Sequence, residues 1–186
     1  ALVYWFARTA DDLADEGNAD SAKRLHELNN FENEFKKSLN DESNNQYFNQ
    51  LSKTISKKKL SAKYFFDLLS AFRQDVVKNE YTDYKEIENY CSRSANPIGR
   101  ILLEIFNINK KEAIIGSDKI CTALQLTNFY QDTQVDIEKG RIYYAKDEMT
   151  SFGVTQNMFE LKQNNHNIKA LVKHNVDRTQ KLFDEG

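Results

Sequence analysis

Between Leu124 and Tyr144 the chain reads LQLTNFYQDTQVDIEKGRIYY, and four of its polar side chains form an ordered series. On a helix, about 100° per residue brings Gln125, Asn128, Asp132 and Asp136 within an arc of roughly 80°. The series runs amide, amide, carboxylate, carboxylate, on a segment that also carries Leu124, Leu126, Phe129 and Val135. Gly140 then stops the helix and Arg141 follows it directly. A second acidic ridge lies in the opening YWFARTADDLADEG, where Tyr4, Arg8, Asp11, Asp12 and Asp15 share one helical face. For any single Asp-x-x-x-Asp pair the ordinary reading is a solvated helix face. Carboxylates one turn apart repel by roughly a few tenths of a kcal/mol unless a cation sits between them. Two such ridges, remote in sequence and each on an otherwise apolar helix, call for a shared cation. Facing each other across a cavity, they predict Mg²⁺ held by Asp11, Asp12, Asp15, Asp132 and Asp136 together with a substrate's phosphates.

The elements that must hold these ridges read as helices. One proline and six glycines in 186 residues leave long uninterrupted stretches, which favours an all-α fold over a turn-rich β fold. Asn18–Asp20 breaks the first 38 residues into two helices, the second patterned by Leu25, Leu28, Phe31 and Phe35. Asn40–Asn45 is a polar loop. Tyr47, Phe48, Leu51 and Ile55 mark a short helix closed by Lys57–Lys59, read as a solvated helix end, with phosphate binding as the alternative. Ser61 is placed to cap the next helix, whose apolar face is Phe65, Phe66, Leu68, Leu69, Phe72 and Val76. Such rings are plain core or, if they line the cavity, π faces for a carbocation; Phe72 suits either role. Residues 86–106 form a helix interrupted at Asn96-Pro97, where proline removes a hydrogen bond and a kink is expected. Asn107–Lys111 is a loop, and beyond Met149 the pattern predicts two more helices.

Length predicts a single domain over 1–186 with a real core. A net charge of −2 offers no basic footprint, so nucleic acid is not an expected partner. Cys91 and Cys121 lack metal-type spacing and read as reduced thiols of a cytoplasmic protein, and His26, His166 and His174 show no ligand pairing. The opening ALVYWFA reads as the interior of a helix and not as a signal peptide, so the chain reads as a piece of a longer protein.

The motifs Arg8-x-x-Asp11-Asp12-x-x-Asp15 and Gln125-x-x-Asn128-x-x-x-Asp132-x-x-x-Asp136 resemble those of the squalene and phytoene synthase family over nearly the whole chain. The resemblance implies an isoprenoid-synthase helical bundle around a central apolar cavity, with two aspartate motifs holding Mg²⁺ and a prenyl diphosphate. It also implies a helical region before Ala1 and closing helices after Gly186. Within the family, Tyr90–Arg100 (YCSRSANPIGR) and the phrase LTNFYQD are similar to the hydroxysqualene synthase branch of the bacterial hopanoid pathway, which acts on presqualene diphosphate. Condensing members usually have Arg where this chain has Gln131, and many members have Pro where it has Ala145.

On that resemblance the expected reaction is Mg²⁺-assisted ionisation of presqualene diphosphate, with one water quenching the cation to hydroxysqualene. Arg8 and Arg141 are the expected diphosphate contacts, as fixed forks of donors. Tyr90 and Tyr143 are expected at the reacting end, and Asn128 and Gln125 at metal or phosphate. No Gly-rich dinucleotide loop is present, in keeping with a reaction that needs no reductant. The alternatives are head-to-head condensation of farnesyl or geranylgeranyl diphosphate, and a non-catalytic helical module that kept the fold. An apolar product also implies peripheral membrane association for its release.

Overall fold

Helix α1 shows how the pattern becomes structure. Along Leu2–Asp15 the apolar positions Phe6, Ala10 and Ala14 recur at one-turn spacing and are buried, which leaves Tyr4, Arg8, Asp11 and Asp12 on the opposite side. A computed structural model describes all residues from 1 to 186, in eleven helices and no named strand. The remaining helices are α2 (Ser21–Leu39), α3 (Gln46–Lys58), α4 (Ala62–Val77), α5 (Tyr84–Ser94), α6 (Asn96–Ile105), α7 (Lys111–Gln131), α8 (Thr133–Glu138), α9 (Lys146–Ser151), α10 (Gln156–Glu160) and α11 (His166–Glu185). The breaks expected at Asn18–Asp20 and Asn40–Asn45 span 16–20 and 40–45, and the one expected at Asn96-Pro97 falls one residue earlier, at Ala95, so that Asn96 and Pro97 open α6. Beyond Met149 two helices begin, α10 and α11, as the pattern predicts, and the short α9 runs across Met149 itself; Gly153 at φ +63° and Asn165, whose side chain accepts from the Ile168 N–H at 3.0 Å, divide the run.

The chain divides into two compact units, Ala1–Val77 with Pro97–Lys110, and Lys78–Asn96 with Lys111–Gly186. In the first, α1 packs on α2, α3 and α4 around the rings of Phe6, Phe31, Phe35, Phe48 and Phe65. Phe6 is fully buried, with its ring centroid 5.0–5.1 Å from those of Phe31, Phe35 and Phe65. Each such ring contributes about 1.5–3 kcal/mol by burial, and edge-to-face pairs add roughly 0.5–1.5 kcal/mol. Phe72 belongs to this core. The Ser61 N–H is bonded by Glu104 Oε2 at 2.8 Å, which ties the entry of α4 to α6.

In the second unit α7 packs on α5, α8 and α11. The segment after α8 is extended, and a parallel bridge pairs Ala145 with Tyr81. The Ile142 N–H donates to Asn79 O (2.8 Å) and the Lys146 N–H to Tyr81 O (2.9 Å). Extended residues alternate sides. Ile142 and Tyr144 therefore enter a core with Ile137, Met149, Val154, Phe159 and Leu171, while Arg141 and Tyr143 point the other way. Cys91 is buried and free, and burial first, then the charge of Glu88, pushes its thiol up to about 12. No helix is long and apolar enough to cross a membrane.

Candidate functional site

In the first unit the acidic ridge converges on Arg8. Its guanidinium lies 3.3 Å from Asp11 Oδ2, 2.7 Å from Asp12 Oδ1 and 2.5 Å from Glu16 Oε1. Asp12 Oδ1 makes no directional hydrogen bond, so that contact is one of charge. Glu16 is absent from the helical arithmetic because it lies just past α1: its backbone turns extended (ψ 154°) and Gly17 follows at φ +73°, folding the side chain back. Burial raises the Asp11 carboxyl above its ordinary range against the pull of Arg8, and Asp12, Asp15 and Glu16 push the same way. A ridge in that state favours any added cation. Asp15 is half-buried on the same helix.

In the second unit the expected single helix is two. Asp132 sits between α7 and α8 with φ −93° and ψ 10°, yet the Asp132 N–H still bonds Asn128 O (2.9 Å) and the Asp136 N–H bonds Asp132 O (3.0 Å). The helical spacing thus runs through the break. Gln125, Asp132 and Asp136 are half-buried, whereas Asn128 lies on an exposed stripe with Leu124, Gln131 and Val135. Leu124 and Val135, two of the four apolar residues named on this segment, are 56% and 53% exposed. They sit at one-turn multiples from Asn128, so they share its face and not that of the buried Ala123, Leu126 and Phe129.

The end of α8 couples the ridge to Arg141. Gly140 at φ +75° lets its own N–H reach Ile137 O (2.9 Å) and the Arg141 N–H reach Asp136 O (2.8 Å), the paired bonds of a Schellman cap. The two positions such a cap sets side by side usually carry apolar residues. Here they are Asp136 and Arg141.

Two residues on, Tyr143 stacks on Phe129 with ring centroids 3.6 Å apart and planes 6° from parallel. Tyr90 lies 5.8 Å from Phe129, and Tyr81 lies 5.9 Å from Tyr143 and 6.0 Å from Tyr90. All four rings are buried. Tyr90 and Tyr143 are thereby brought together as neighbours of one aromatic cluster. Tyr81 was not legible: it stands alone in a connector with no periodicity around it, and only the bridge to Ala145 brings it in.

The donor chemistry suits magnesium. Mg²⁺ is commonly bound by one or two carboxylates plus substrate phosphates and not by an all-protein cage. No three His, Cys, Asp or Glu side chains are gathered into such a cage. The hard, partly exposed oxygens of each ridge fit the first mode.

The squalene/phytoene synthase family model matches residues 1–186, the full length of both units. The chain belongs to the squalene/phytoene synthase family. It is 29% identical over 184 residues to a hydroxysqualene synthase of Rhodopseudomonas palustris, covering 98% of this chain and 62% of the relative. It is 34% identical over 159 residues to that of Zymomonas mobilis, covering 82% and 51%. Phytoene synthase 1 of Solanum lycopersicum is 26% identical over 190 residues, 99% of this chain and 46% of the relative. The chain thus spans about half to three fifths of the length of these relatives. Among solved structures, squalene synthase HpnC from Alicyclobacillus acidocaldarius superposes with a TM-score of 0.91 at 35% identity, covering 99% of this chain and 69% of that one. A dehydrosqualene synthase in complex with ligand superposes at 0.84 and 29%, covering 99% and 64%. The fold of this family member is the all-α isoprenoid-synthase fold of those neighbours.

Proposed function

We propose that this family member handles the diphosphate of presqualene diphosphate in a hydroxysqualene synthase-type reaction. The observation that carries the reading is the Schellman cap, which seats Arg141 beside Asp136 two residues before a buried cluster of four aromatic rings. Anion-holding and cation-tolerating groups are then neighbours on one short segment. Three hydroxysqualene synthases among the relatives support the same branch.

Asp11, Asp12 and Asp15 of α1, and, in the other unit, Asp132 and Asp136 of the second ridge, would each offer carboxylate oxygens to Mg²⁺, and the metal would offset charge on the departing diphosphate. Arg8 and Arg141 hold its oxygens as planar forks, with Gln125 and Asn128 donating amide hydrogens nearby. When the carbon–oxygen bond breaks, the Tyr90 ring and the face of Tyr143 that is not stacked on Phe129 lie against the cation. Buried walls keep bulk water away; one admitted water adds, sheds a proton and leaves the alcohol. Binding to Arg8 requires its guanidinium to exchange part of its hold on Asp11, Asp12 and Glu16 for phosphate.

Head-to-head condensation is the second reading, favoured by phytoene synthases that align with 99–100% of the chain. Supplying the full reading frame with Mg²⁺ and, in parallel assays without NADPH, either presqualene diphosphate or farnesyl diphosphate separates them. Hydroxysqualene should accumulate. Consumption of farnesyl diphosphate with no hydroxysqualene selects condensation, and failure to bind a non-hydrolysable diphosphate analogue with Mg²⁺ selects a non-catalytic module. For product release, the exposed Leu102, Phe106 and Ile108 beside Lys110 fit an anionic bilayer surface. Co-sedimentation with anionic vesicles, weakened by Phe106→Ser, checks that contact.

A further inference from the structure

Behind the aromatic cluster lies a second assembly centred on Arg178 of α11. Its Nη1 donates to Glu148 Oε1 at 2.6 Å and its Nη2 to Glu148 Oε2 at 2.8 Å, a bidentate fork. Nη2 also donates to Asn175 Oδ1 at 2.5 Å, and that same oxygen accepts from the Tyr130 hydroxyl at 2.9 Å. The guanidinium carbon lies 3.6 Å from the centroid of the Tyr84 ring. The side chains of Arg178 and Glu148 are only 21% and 15% exposed, so the pair is well shielded from water and from screening.

One guanidinium thus holds α5 through Tyr84, α7 through Asn175 and Tyr130, and α9 through Glu148. Each of these contacts lies close in sequence to a member of the aromatic cluster. Tyr84 is three residues from Tyr81, Tyr130 adjoins Phe129, and Glu148 lies in the first turn of the short helix that begins directly after Arg141–Ala145. The segment carrying Arg141 and Tyr143 is therefore pinned at both ends. The Schellman cap at Gly140 fixes where it leaves α8, and the fork on Glu148 fixes where it enters α9. Between them, two main-chain hydrogen bonds and one bridge hold it to 79–81.

We propose that Arg178 is a positioning residue for the diphosphate site, setting the register of the 141–145 segment, and so of Arg141, through its fork on Glu148. The proposal rests on the reading of Arg141 as a diphosphate contact. A lysine cannot replace the fork, because an ammonium offers one point of charge and no planar stack on Tyr84. Small displacements of a binding group cost up to about a hundredfold.

The test is calorimetric titration of the full-length protein with inorganic pyrophosphate and Mg²⁺, on Arg141→Lys, Arg178→Lys, Glu148→Gln and the double variant Arg141→Lys/Arg178→Lys. Circular dichroism establishes that each is folded, and Glu148→Gln stands in if Arg178→Lys is not. Arg178→Lys and Glu148→Gln are each expected to weaken binding about tenfold or more. The double variant is expected to bind no more weakly than Arg141→Lys alone, because Arg178 acts through Arg141. Losses that multiply in the double variant, or folded Arg178→Lys and Glu148→Gln with undiminished affinity, overturn the inference and leave the Arg141 reading standing. Unchanged binding by Arg141→Lys overturns both.

Discussion

Single side chains in this protein are held by charge in two different ways, and each makes a separate prediction. Arg8 is about half exposed and neutralises three carboxylates at once. Arg8→Gln leaves Asp11, Asp12 and Glu16 to repel, which should cost about 0.5 kcal/mol in low salt and less in high salt. Urea denaturation at two ionic strengths reads this directly, and equal losses at both would show that the ridge is not electrostatically loaded. Glu148 is shielded. Burial would raise its carboxyl, but the hydrogen bonds and charge of Arg178, with a smaller part from His174, outweigh it and hold the carboxyl below the usual range. A carboxyl depressed by folding stabilises the protein above its unfolded pKa, and that stability is lost as pH falls through the folded value. The gap in melting temperature between the parent chain and Glu148→Gln should accordingly be full at neutral pH and shrink on acidification below pH ~4.5. A gap that stays constant to low pH contradicts the assignment.

At the level of elements, two positions test whether caps and cores do what their geometry says. Gly140 takes φ +75° with nothing within 4 Å of an added Cβ, so Gly140→Ala meets backbone strain and no clash. It should destabilise by about 1 kcal/mol. Because the cap also aims Arg141, the same variant should weaken magnesium pyrophosphate binding, whereas Gly17→Ala, equally open at φ +73°, should cost similar stability without that change in unit 2. Phe6 anchors the ring cluster of the first unit and is fully buried. Phe6→Ala removes it from contact with four other phenylalanines and should cost about 3–5 kcal/mol, measurable as a fall in the urea midpoint at constant slope.

For the whole molecule, ligand linkage is the decisive observable. Anything that binds the native state alone stabilises it by about 2.7 kcal/mol at a hundredfold excess over Kd. Magnesium pyrophosphate should therefore raise the melting temperature by several degrees, at roughly 2–4 °C per kcal/mol for a chain of this size. Chelation with EDTA should abolish the rise, as should Asp132→Asn and Asp136→Asn. A shift that survives EDTA means the anion binds without the metal.

Helical pattern was readable from the sequence because it is local. The apolar positions of α1, the break before α2, the polar 40–45 loop and the interruption next to Asn96-Pro97 each follow from residues within a turn or two of one another. The two acidic ridges were legible for the same reason, as was the stop at Gly140. Tertiary structure decided what locality cannot reach. Glu16 joins the first ridge only because the backbone turns after Asp15, and the second helix breaks at Asp132 while keeping its hydrogen-bond spacing. Tyr81, Tyr90, Phe129 and Tyr143 come from four separate stretches, and Arg178 meets Glu148 thirty residues away. No period links residues on different elements; only the packing of those elements selects which of many equally plausible aromatic and charged side chains become neighbours.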